Sequence, residues 1–131
     1  MIFAKKSLGQ NFLIDENIIN KISSLIKIED QNILEVGPGT GNLTNALLKK
    51  KPKKFYVIEK DDNLASFLKK EFENKIVVIN DDILKVDENN ISDEKLIVFG
   101  NLPYNISTEI LCKWIINLND QKIWFRNFIL M

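Results

Sequence analysis

Five short apolar runs, separated by segments of helical periodicity, set the narrowest limit on how this chain can fold. Residues 33–36 read Ile-Leu-Glu-Val, 55–58 Phe-Tyr-Val-Ile, 76–79 Ile-Val-Val-Ile and 96–99 Leu-Ile-Val-Phe, and a fifth run covers about 124–131. Such runs, without polar alternation, fit strands buried on both faces, the condition of a parallel sheet covered by helices. The intervening segments supply those helices. Residues 16–28 carry Ile18, Ile22, Leu25 and Ile26 at helical spacing behind Asp15 as N-cap. Leu43, Ala46 and Leu47 mark a second helix over 42–50, broken by Pro52 and its lysines. Leu64, Phe67, Leu68 and Phe72 mark a third over 62–72. Leu111, Trp114, Ile115 and Leu118 mark a fourth over 107–118. Right-handed crossovers then predict a doubly wound α/β fold. The polar stretch 85–94 reads as a loop.

Length and composition narrow the possibilities further. A chain of 131 residues, 45% hydrophobic and 27% charged, suits one soluble domain with a single core. Its formal net charge is zero, so global charge carries no nucleic-acid signal. Lys49, Lys50, Lys51, Lys53 and Lys54 form one cluster and Lys5 with Lys6 another, both read as solvated loops. The sole cysteine, Cys112, has no disulfide partner and falls on the apolar side of a predicted helix, where an inert buried thiol is expected. Histidine is absent, which excludes histidine-based triads and histidine metal sites, and no metal is expected. No apolar run approaches the roughly 18 residues of a membrane span. Met1 to Lys6 does not lead into the apolar segment of a signal peptide, so a cytoplasmic protein is the default. The fifth strand leaves a sheet edge open, a liability that suggests an N-terminal fragment or a cover of another kind.

The loop Gly37-Pro38-Gly39-Thr40-Gly41 lies between the first strand and the second helix, where a nucleotide-type ligand can approach the backbone. The third glycine of the dinucleotide fingerprint would fall at position 42, which is Asn42. Glu35 stands two residues before the loop, a poor neighbour for a pyrophosphate because like charges repel in a partly buried site. It suits a ligand bearing an ammonium and a sulfonium, as S-adenosylmethionine does. Glu59 ends the second strand about 20 residues past the loop, where an acid accepts ribose hydroxyls. Asp81 and Asp82 follow the third strand, and Asp82 is the better candidate for the adenine amine of such a cofactor.

Asn101-Leu102-Pro103-Tyr104 follows the fourth strand, at the carboxyl edge where α/β sheets bind ligands. An aromatic amine is a weak nucleophile because its lone pair is delocalised into the ring. A carboxamide oxygen and a backbone carbonyl can each accept one of its N–H groups and turn the lone pair toward an electrophilic methyl. Proline stiffens the turn, and a tyrosine ring stacks on a base. Catalysis of this kind is positioning for an in-line displacement.

With these residues the chain resembles the small-subunit ribosomal RNA adenine dimethyltransferases. Residues 6–13, Lys-Ser-Leu-Gly-Gln-Asn-Phe-Leu, residues 33–41 and residues 100–107, Gly-Asn-Leu-Pro-Tyr-Asn-Ile-Ser, carry the resemblance over nearly the whole chain. The glycine loop is shared by many methyltransferases, whereas the other two stretches are far more specific. The resemblance implies a Rossmann-like S-adenosylmethionine-dependent methyltransferase sheet, stopping after the fifth strand, with residues 1–131 as one domain. Asn11, Leu13, Glu35, Gly37, Gly39, Gly41, Glu59, Asp82 and Asn101 would then form the cofactor pocket. Asn101 to Tyr104 would hold the target adenine, with Tyr104 stacked on it.

The family dimethylates two adjacent adenosines near the 3′ end of small-subunit rRNA, late in ribosome assembly. It continues into two more strands and a small helical domain that grips RNA. A monomer that acts on the assembling small subunit, with no membrane, is therefore expected. The nearest rival is the large-subunit rRNA adenine methyltransferase of the antibiotic-resistance type, disfavoured by Leu102 and by Asn105-Ile106-Ser107. A non-catalytic assembly factor is disfavoured by Asn101 and Tyr104, and an NAD oxidoreductase by Glu35 and Asn42.

Overall fold

The computed structural model describes residues 13–102, 104–119 and 123–131. Five strands, β1 (Asn32–Val36), β2 (Lys54–Ile58), β3 (Val77–Ile79), β4 (Leu96–Gly100) and β5 (Phe125–Leu130), form one sheet in the order β3-β2-β1-β4-β5. Every pairing is parallel, as apolar runs without polar alternation predict. Among the described residues four α-helices accompany them: α1 (Glu16–Ser23), α2 (Asn42–Leu48), α3 (Asp62–Phe72) and α4 (Tyr104–Ile116). The chain winds outward from β1 to β3, then returns to lay β4 against the other side of β1. That reversal opens a crevice at the carboxyl ends of β1 and β4, the place where doubly wound sheets bind ligands.

Alternation along the strands sorts the apolar side chains into two layers. Ile33, Phe55, Val57, Ile97 and Phe99 face one way and pack with Ile19 and Ile22 of α1, Leu43 and Leu47 of α2, and Leu68 and Phe72 of α3. Leu34, Val36, Ile58, Leu96 and Val98 face the other way and pack with Ile110 and Trp114 of α4 and with Trp124. Asp15 caps α1 as expected, its Oδ1 accepting the Asn17 N–H at 2.9 Å. Asp61 caps α3 in the same manner, accepting from Asn63 and Leu64.

Several elements depart from the sequence expectation. The helix expected over 16–28 ends at Ser23, with Ser24 as its C-cap. Its inward residues are Ile19 and Ile22, while Ile18 and Leu25 are exposed. The fourth helix begins at Tyr104, and a single tight turn over Asn117–Asn119 follows it. Ile110 and Trp114 point inward, whereas Leu111, Ile115 and Leu118 face outward. Cys112, expected to be buried, is exposed on that outer side. The polar stretch 85–94 contains a short helical turn, Glu88–Asn90, that buries the Glu88 side chain. Among the described residues, no helix is long and apolar enough to cross a membrane.

Candidate functional site

Strand register assembles the site. Val36 lies beside both Ile58 and Gly100, and Ile58 lies beside Ile79. The next residues, Gly37, Glu59, Asn80 and Asn101, therefore emerge along one carboxyl edge. Backbone bonds fasten this edge: Gly37 N–H donates to Ile58 carbonyl at 3.0 Å, and Glu59 N–H to Ile79 carbonyl at 3.0 Å.

The glycine loop is left-handed at Gly37, Gly39 and Gly41, with φ of 66°, 59° and 88°. These values suit glycine and strain other residues. A Cβ on Gly37 would stand 3.5 Å from the Asn101 backbone oxygen, so the missing side chain keeps open the gap between the two loops. Gly41 serves packing instead. A Cβ there would lie 2.5 Å from the Phe72 ring, and its N–H donates to Pro38 carbonyl at 3.0 Å.

Glu35 is 1% exposed, and Thr44 Oγ1 donates to its Oε2 at 2.7 Å. Burial pushes its carboxyl up to about 8, against the Thr44 hydrogen bond, and the charge of Glu59 pushes it in the same direction. Glu59 is also buried, and desolvation raises its carboxyl. The N–H groups of Asp61, Gly39 and Lys60 favour its charged form, with Asp61 N–H at 3.0 Å from Oε1. Asp82 Oδ1 accepts the Leu84 N–H at 3.0 Å, and Lys60 Nζ stands 3.3 Å from Oδ2. Desolvation would raise the Asp82 carboxyl, but these two donors outweigh it and hold the group below the ordinary range. The carboxyl edge thus gathers three carboxyl groups, of which burial raises Glu35 and Glu59 while Asp82 is held low by its donors. That arrangement suits a ligand with an ammonium, a diol and an amine, and is hostile to a pyrophosphate.

Leu13 packs against the α1–α3 side of the core, and its carbonyl accepts Asn42 Nδ2 at 2.9 Å. Asn42, noted in the sequence only for not being glycine, thus ties the N-terminal segment to the start of α2. Leu102 is buried in the α4 layer. Asn11, Pro103 and the Tyr104 side chain lie outside the described residues. Sequence reasoning missed Thr44, Asn80 and Lys60. Asn80 Nδ2 donates to Glu59 carbonyl at 3.0 Å and pins the ends of β2 and β3 together. A threonine in an apolar helix and an asparagine after a strand carry no distinguishing spacing.

The model of the ribosomal RNA adenine dimethylase family matches residues 2–131. The chain belongs to that family. A relative from Pelagibacter ubique, named ribosomal RNA small subunit methyltransferase A, is 62% identical over 98% of this chain and 48% of its own length. The chain thus spans about half the length of the curated relatives it matches. Among solved structures, a dimethyladenosine transferase from Plasmodium falciparum superposes with a TM-score of 0.75 at 30% identity, covering 92% of this chain and 42% of that one. The 23S rRNA methyltransferase ErmE gives a TM-score of 0.70 at 30% identity, over 80% of this chain and 43% of that one. The fold is the Rossmann-like methyltransferase sheet implied by the sequence resemblance, with five strands among the described residues.

Proposed function

We propose that this protein transfers methyl groups from S-adenosylmethionine to the exocyclic amines of two adjacent adenosines in small-subunit rRNA. It would do so as a monomer in the cytoplasm, on the assembling subunit. The observation that carries the reading is the meeting of the glycine loop with Asn101, Gly37 against the Asn101 carbonyl, in a chain of the adenine dimethylase family. Bound there, S-adenosylmethionine supplies an electrophilic methyl group on a sulfonium.

The chain's own residues supply position. Leu13 with Asn11, Glu35 and the backbone of Gly37, Gly39 and Gly41 surround the cofactor's amino-acid end. Glu59 accepts its ribose hydroxyls, and Asp82 its adenine amine. Asn101 sits between cofactor and target. Its carboxamide oxygen and the Leu102 carbonyl accept the two N–H groups of the adenine amine, which turns the lone pair toward the methyl carbon. Pro103 keeps that turn rigid. Tyr104 stacks on the base, an interaction worth about 1–3 kcal/mol. A large-subunit target is the second reading, carried by the likeness to ErmE. The 62% relative, named for the small subunit, favours the first.

The test incubates the chain with unmethylated small subunits and, separately, with large-subunit RNA, using isotopically labelled cofactor. Label in two adjacent adenosines of the small-subunit RNA is expected, at a rate lowered by Asn101→Ala and Tyr104→Ala and little changed by Tyr104→Phe. Label confined to large-subunit RNA overturns the choice of target. A Tyr104→Phe variant as inactive as Tyr104→Ala overturns the stacking role.

A further inference from the structure

Away from the cofactor edge, α4 holds a half-buried ammonium that the proposed reaction does not use. Lys113 Nζ donates to Ile83 carbonyl at 2.6 Å, to Val86 carbonyl, and to Glu88 Oε1 at 2.7 Å. An ammonium has three donors, and all three are engaged. Glu88 is 2% exposed, and its Oε1 also accepts Trp114 Nε1 at 2.7 Å. Two successive residues of α4 therefore grip one carboxylate. Ion pairs this deep add little to stability, because desolvation offsets the attraction. Their geometry is more telling than their energy.

The two carbonyls held by Lys113 belong to the turn that Asp82 begins. Asp82 carbonyl accepts Lys85 N–H at 2.8 Å and Val86 N–H at 3.1 Å, and its carboxylate accepts Leu84 N–H. The turn is thus fastened from behind by α4, while the Asp82 carboxylate stands toward Lys60 and the end of β2. We propose that Lys113 is a positioning residue that holds the Asp82 turn in register with α4, and so sets how the protein recognises the adenine amine of its cofactor. The inference rests on the cofactor reading above, with Asp82 as the acceptor of that amine.

Calorimetry on the full chain tests it with two ligands, S-adenosylhomocysteine and S-inosylhomocysteine, in which a carbonyl replaces the amine. The unmodified chain should prefer the adenine ligand by about 10- to 150-fold, the worth of a hydrogen bond to a charged acceptor. Lys113→Met should reduce that preference to less than about threefold, with affinity for the inosyl ligand nearly unchanged, since only the amine contact is lost. Because Lys113→Met orphans a buried carboxylate, the double variant Lys113→Met/Glu88→Gln provides a folded counterpart. Trp114 still has an acceptor in it, the carboxamide oxygen that replaces the carboxylate, and the same loss of preference is expected. Equal weakening of both ligands, or full preference retained in the double variant, overturns the inference. An unmodified chain that binds both ligands equally removes Asp82 from amine recognition and leaves the cofactor reading standing. One that binds neither removes the cofactor reading itself.

Discussion

Thr44 of α2 donates its hydroxyl to Glu35 of β1 at 2.7 Å, and both side chains are closed to solvent. The pair joins the strand before the glycine loop to the helix after it. It also leaves a carboxyl group in a place where charge is costly, beside Glu59 and with Asp61 next to that acid.

Stability should therefore fall as pH rises. The Glu35 carboxyl titrates near 4.5 when unfolded and about 8 when folded. Between those values the folded chain binds more protons than the unfolded chain, so stability declines across the interval and the loss is complete above it. Glu59, shifted in the same direction, adds to the slope. Thermal melts of Glu35→Gln from pH 5 to 9 should show a shallower decline, with the variant gaining most at the alkaline end. An unchanged slope would exclude Glu35 as its source.

Cofactor binding should depend on Glu59. Loss of hydrogen bonds to a charged acceptor costs about 1.5–3 kcal/mol, or roughly 10- to 150-fold in affinity. Calorimetry with S-adenosylhomocysteine on Glu59→Ala should show that loss, and Glu59→Gln should recover part of it. Because the carboxylate also accepts the Asp61 N–H, circular dichroism of both variants is the necessary control.

Gly41→Ala should destabilise the fold by about 2–4 kcal/mol. The left-handed backbone accounts for roughly 1–2 kcal/mol of that, and the overlap with Phe72 for the rest. Denaturant titration checks it. Adding Phe72→Leu should return only the steric part, because the backbone angle is untouched.

Burial on α4 distinguishes residues that the sequence leaves alike. Ile110 is fully buried, whereas Ile115 is 61% exposed. Ile110→Ala should cost about 2–5 kcal/mol, and Ile115→Ala no more than about 0.5 kcal/mol. Equal costs would mean that the outer side of α4 is packed in solution.

These contrasts show which features the sequence encodes openly. Strands were legible because a parallel sheet buried on both faces needs apolar runs without polar alternation, and those at 33–36, interrupted only by Glu35, and 96–99 have no competing pattern. The candidate site was legible for the same reason. Parallel register places the residues after each strand side by side, so Glu59 and Asn101 could be paired with the glycine loop without knowing the fold in detail. Helix faces were harder. In α1, Ile18 and Ile19 are adjacent and equally apolar, and only the tilt of the helix on the sheet decides which is covered. Glu88 and Lys113 are 25 residues apart and individually ordinary, so nothing but tertiary packing announces their pairing.

Both tryptophans of the chain stand in one aromatic group on the α4–β5 side of the sheet. Trp114 meets Trp124 edge to face at 5.7 Å and stacks on Phe128 at 4.7 Å. Intrinsic fluorescence is consequently a one-sided witness: it reports the melting of the α4 layer and is blind to the layer of α1, α2 and α3. Far-ultraviolet dichroism sees both layers. Superimposed curves from the two signals would describe a single cooperative unit, and a fluorescence change that comes first would mark the α4 layer as the part of the molecule that opens independently.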